Sequence, residues 1–145
     1  MRLEINNTTK DKINIKILKQ AGEIFGEKMK VNDKAVSVAF VSAARIKELN
    51  KQYRGINKVT DVLSFVGEGD ELGELILYYL QIRRQAKRQK HLLDYELLFI
   101  FIHGLLHLIG YDDATDKGRE EMFALGERLC KSTIAANRLS SPRKR

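Results

Sequence analysis

The sequence predicts an α+β fold, a small mixed four-stranded sheet packed with about five helices. Three observations lead there: strand-like alternation and helical spacing interchange through the first half, helical spacing takes over from Gln81 onward, and the single proline, Pro142, leaves no linker in the body of the chain. At 145 residues the chain has ordinary single-domain length. Residues 1–145 are therefore read as one domain, with a basic tail at about 138–145 that is expected to be flexible.

"LEINN" alternates and suits a first strand, and "KDKINIKILKQAGEIFGEKM" repeats Ile, Leu and Phe at helical spacing. "KAVSVAFVS" is Val-rich and reads as a second strand; Ser42 can cap the helix "AARIKELNKQY", and Gly55 should end it. "DVLSFVG" and "LGELILYYL" form strands three and four, joined through the acidic turn "GEGDE". Three helices follow: "QIRRQAKRQK", "DYELLFIFIHGLLHLI" up to Gly110, and a last one from a cap at Thr115 to Asn137.

With 43% hydrophobic and 31% charged residues, the composition excludes disordered and fibrous classes. The longest apolar run, Leu97 to Tyr111, is shorter than the roughly 20 residues a bilayer requires. The N-terminus has charges and amides where a signal peptide needs an apolar core, so the expectation is no membrane insertion and a cytoplasmic location. Cys130 is the one cysteine, which rules out an intrachain disulfide and a cysteine-based metal cluster. A net charge of +7 favours polyanionic partners, RNA or DNA being the commonest. Within it, Arg83, Arg84, Lys87, Arg88 and His91 are candidate RNA contacts; the alternative is the wet face of a helix.

"HGLLHLIGYDD", His103 to Asp113, places two of the three histidines in an otherwise apolar segment. Residues four apart on a helix share a face, so His103 and His107 can turn nitrogens toward one ion. Gly110 suits the left-handed turn that would bring Asp112 or Asp113 beside them as a third ligand. Two ligands on a helix and one on the turn after it is the logic of a zinc hydrolase site. The plain alternative is two buried histidines bonded to backbone carbonyls. Gly104 stands where zinc peptidases of the His-Glu-x-x-His type carry their glutamate base, which disfavours peptide hydrolysis.

"HGLLHLIGYDD" resembles the His-Gly-x-Leu-His-Leu-x-Gly-Tyr-Asp-His signature of the YbeY family of bacterial endoribonucleases and rRNA maturation factors. "YRGINKVTDVLSF" from Tyr53 to Phe65 resembles the family's second signature, and "LGELILYYLQIRRQA" its Leu-Gly-Asp strand and following helix. The resemblance implies a zincin-like α+β domain with its metal site on the central helix. It also implies one zinc ion, cleavage of single-stranded RNA, and roles in 16S rRNA 3′-end maturation and ribosome quality control. The family's metal ligands fall on His103, His107 and Asp113. The family usually has a third histidine at the last position, while Asp112 matches its own aspartate. An oxygen ligand still allows zinc and weakens selectivity against manganese or iron.

Arg54 matches the family's functional arginine; a guanidinium can pair two phosphate oxygens and stabilise charge on phosphorus. His91 matches a position that is often histidine. Asp112 and Asp116 are near enough in sequence to be considered as general base, and either water or the ribose 2′-hydroxyl can be the nucleophile. Small-subunit ribosomal RNA, ribosomal proteins and an assembly GTPase are the partners implied. Two rival functions remain at this level: a ribosome-assembly RNA-binding factor with a structural metal, and a zinc hydrolase of another substrate.

Overall fold

The computed structural model describes residues 1–140, the last two by backbone alone. Its elements are β1 (Arg2–Asn7), α1 (Ile15–Lys28), β2 (Ala35–Phe40), α2 (Ala43–Arg54), β3 (Val62–Val66), β4 (Glu71–Leu77), α3 (Tyr79–Gln89), α4 (Leu93–Leu108) and α5 (Asp116–Ser140). The strands lie in the order β1-β2-β4-β3, with β1, β2 and β4 parallel and β3 antiparallel to β4. This is the mixed four-stranded sheet with five helices that the residue pattern predicts.

The pleat divides the apolar residues between two faces. Val36, Val38, Phe40, Leu75 and Leu77 enter the main core with α1, α3, α4 and α5, whereas Leu63 and Ile76 meet Ile46 and Leu49 of α2 in a smaller cluster. The sheet is thus sandwiched, with α2 alone on one side. Helix α4 touches β3, β4, α1, α3 and α5, so it is buried almost all round. Each fully buried Leu or Phe there contributes roughly 1.5–3 kcal/mol relative to exposure.

Local chemistry sets the ends of the elements. Ser42 accepts from the backbone N–H of Arg45 and Gly55 closes α2 in the left-handed conformation, φ 72°, as their residue types predict. The β3–β4 connection is a hairpin, closed by Gly67 N–H to Leu72 O and Glu71 N–H to Glu68 O.

Three boundaries differ from the sequence reading. Helix α1 begins at Ile15, capped by Asn14, because Asn7, Thr9 and Asp11 bond one another and hold the preceding segment as a loop. Tyr78 to Leu80 do not extend β4; the Tyr78 N–H goes to Asp61 O, and α3 begins at Tyr79. Helix α5 runs to Ser140, so the start of the expected flexible tail is helical, and residues 141–145 lie outside the described residues. Among the described residues no single helix is long and apolar enough to cross a membrane.

Candidate active site

The exposed stripe of α4 is the foundation of the site. Tyr95, Phe99, His103 and His107 recur every four residues and are half-buried, while Leu97, Leu98, Phe101, Ile102, Leu105 and Leu106 point into the core. Gly104 is what allows this placement: a Cβ there would lie 2.9 Å from Leu75 Cδ2. The position that holds a glutamate in His-Glu-x-x-His peptidases thus faces the sheet and not the cleft.

Gly110, at φ 102°, turns the chain back after α4. The return is fixed by Tyr111 N–H to Leu106 O, by the Asp112 carboxylate accepting from Ala114 N–H, and by Arg119, whose guanidinium donates to Asp113 O and pairs with Asp116. The Thr115 hydroxyl accepts from Gly118 N–H and caps α5. Of the two aspartates that the sequence left open as neighbours of the histidines, Asp113 is the one that arrives. Asp112 is committed to its turn, Asp116 to Arg119, and neither lines the cleft.

Asp113 Oδ2 stands 3.8 Å from Nε2 of both His103 and His107, and the two Nε2 atoms are 3.1 Å apart. His107 Nδ1 is 3.1 Å from Tyr111 O. A carbonyl only accepts, so Nδ1 carries the proton and Nε2 offers a lone pair toward its two neighbours. Burial foremost, then His107, push the His103 pKa below the ordinary histidine range, against the opposing pull of Asp113 and Asp61. The neutral imidazole that binds metal is the favoured form.

These donors fit a small divalent ion. Ligand atoms about 2.0–2.1 Å from a tetrahedral zinc stand about 3.3 Å from one another. The observed spacings bracket that value, and His103, His107 and Asp113 form one group whose ligand atoms lie within 4.8 Å. The Tyr111 carbonyl supplies the outer partner that orients a ligating histidine.

The cluster opens into a cleft of about 790 Å³, which is also lined by Tyr53, Arg54, Asp61, Ser64, Phe65 and Phe99. Arg54 reaches it as the last residue of α2, exposed and without an ion pair among the described residues. A family model described as Endoribonuclease YbeY matches residues 3–133.

The chain belongs to the YbeY family.

An Endoribonuclease YbeY from Acholeplasma laidlawii is 40% identical over 100 residues, covering 67% of this chain and 73% of that protein. One from Ureaplasma parvum is 34% identical over 132 residues, covering 87% and 85%. The solution structure of TM1509 from Thermotoga maritima matches with a TM-score of 0.69 and 35% identity over 99% of each chain. The fold is thus shared with that structure along nearly the whole length.

Outside the cleft, the remaining candidates have other surroundings. Arg83, Arg84, Lys87 and Arg88 are exposed on α3, and none lines the cleft. His91 Nδ1 lies 2.9 Å from Glu96 Oε1, and its ring meets Tyr95 edge-on. Glu96 is only 4% exposed, and sequence reasoning missed it. Its Oε2 accepts from Gln85 Nε2, whose other bond goes to Asp61 Oδ2 on the cleft wall. A part-buried polar chain therefore runs from His91 to the cleft. One signal was available, a lone glutamate opening a run as apolar as "LLFIFI".

Proposed function

We propose that this chain uses His103, His107 and Asp113 to hold one divalent metal ion, zinc first, and Arg54 to hold the scissile phosphate of single-stranded RNA. It is a metal-dependent endoribonuclease of rRNA processing, as its family implies. The observation that carries the residue assignment is that the three-donor cluster and an unpaired guanidinium line one cleft.

Each residue has a definable task. Arg54 binds two phosphate oxygens and stabilises the charge that grows on them as the phosphodiester breaks. His107, with its proton held on Nδ1 by Tyr111 O, keeps Nε2 as a pure acceptor. Asp113 adds the negative charge that two neutral imidazoles lack. A bound divalent ion supplies Lewis-acid polarisation of the phosphate and acidifies a hydroxyl or water. Asp61 lines the cleft, as Asp112 and Asp116 do not, and is the carboxylate we nominate to receive a proton, although Val62 N–H and the Gln85 amide already donate to it.

The finer partners we propose are 16S rRNA and the small ribosomal subunit, with ribosomal proteins and an assembly GTPase, in the cytoplasm. The exposed cations of α3 would meet RNA beyond the cleft, which calls for an affinity that falls steeply with salt. The test is cleavage of a single-stranded oligoribonucleotide by purified protein, with chelation and metal add-back. Arg54→Ala is expected to lower kcat/KM by about 10²–10³-fold while metal content stays that of the wild type. Undiminished cleavage by Arg54→Ala, or by chelated protein, would overturn the assignment.

A further inference from the structure

Two large aromatic rings stand in solvent beside the cleft. Tyr53 is 59% exposed and Phe123 56% exposed. Each is held by an aromatic side chain that lines the cleft itself. Tyr53 meets Phe65 edge-on with centroids 5.0 Å apart, and Phe123 leans on Phe99 at 5.4 Å. Phe99 in turn stacks on His103, and Tyr53 immediately precedes Arg54.

Both rings leave more than half of their surface open beside the cleft, where a ligand with flat apolar faces can reach them. Edge and tilted contacts fix a ring without covering both of its faces, so each platform is pre-set rather than floppy. One comes from the end of α2 against β3, the other from α5, which packs on the helix that carries His103 and His107. We propose that Tyr53 and Phe123 are nucleobase-stacking positions that hold two bases of a single-stranded RNA on either side of the phosphate engaged by Arg54. This rests on the endoribonuclease reading and extends it to the mode of substrate selection.

The chemistry favours a nucleobase over an apolar protein segment. Arg54 follows Tyr53 in the chain and lines the same cleft, and the net charge is +7, which together suit a polyanion bearing flat apolar faces. Bases in a duplex already stack on one another and offer no free face. Two aromatic platforms therefore select single strands without reading sequence.

The test compares equilibrium binding of a fluorescent single-stranded oligoribonucleotide with that of an abasic strand of the same length, in metal-free buffer at fixed salt, using the full chain. Tyr53→Ala and Phe123→Ala are each expected to weaken binding of the base-bearing strand by roughly 10–100-fold and to leave the abasic strand unaffected. Tyr53→Phe, which keeps the ring, should bind as the wild type does. Equal loss on both strands, or no loss on either, overturns stacking while wild-type cleavage leaves the nuclease assignment standing. Wild-type protein that neither binds nor cleaves RNA overturns both.

Discussion

Helix α4 carries a histidine–carboxylate cluster at each end, and the two are opposites. At its N-terminal end the Glu96 carboxylate is buried and receives donors on both oxygens, from His91 and from the Gln85 amide. The positive end of the helix dipole adds to that balance. At the C-terminal end the His107 proton is already given to Tyr111 O, and the remaining atoms, two imidazole nitrogens and a carboxylate oxygen, face one another. The first cluster is complete as protein. The second leaves His107 Nε2 and the Asp113 carboxylate as acceptors beside His103, a group that a cation can bridge. The difference teaches that the same residue types are structural or functional according to whether their donors and acceptors balance within the fold.

The sharpest way to break this comparison is His107→Ala. Losing a ligand should lower metal affinity by more than the roughly 10–100-fold that loss of an outer-shell partner costs, and should abolish cleavage. Calorimetric metal titration and the RNA assay check both; wild-type affinity would make the acceptor cluster as closed as the other.

Glu96→Ala should act in the opposite sense, on stability rather than on metal. Removing the carboxylate leaves the Gln85 amide and His91 without their acceptor and should cost about 1–3 kcal/mol, read as a shift in the urea midpoint, while the folded protein still binds metal. Asp113→Ala should weaken metal binding less than His107→Ala does, because two imidazoles remain, and Asp113→His should restore it with a tighter preference for zinc over manganese. Competition between the two ions would measure this. The smallest effect belongs to His91→Ala, about 1 kcal/mol or less of stability, since the ring is 38% exposed and solvent screens its bond to Glu96. A loss matching that of Glu96→Ala would show the N-terminal cluster to be a single unit.

Much of this was legible in the residues, and the reasons are local. A spacing of four puts His103 and His107 on one face of any helix, Gly110 permits the left-handed turn, and Ser42, Gly55 and Thr115 bond neighbours only a few residues away. The strand-to-helix boundary after Leu77 was not legible. "LYYL" suits either state: Tyr78 N–H still pairs with Asp61 O beside β3, while Tyr78 O already accepts the first helical bond of α3 from Ile82 N–H.

The sequence by itself determined the helix that pairs the histidines, the turn that brings an aspartate back, the sheet's strands and the family they belong to, because those depend on period, backbone conformation and motif. Spacing left Asp112 and Asp113 both open and the family signature pointed to Asp113; the tertiary structure shows Asp113 facing the histidines, and shows Arg54 and Tyr53 in their cleft. It alone decided that His91 answers a buried glutamate instead. These are meetings between segments distant in sequence, set by how α4 lies against the sheet with Gly104 as its point of closest approach. No local rule encodes which carboxylate finds a donor already waiting and which is left facing two histidines.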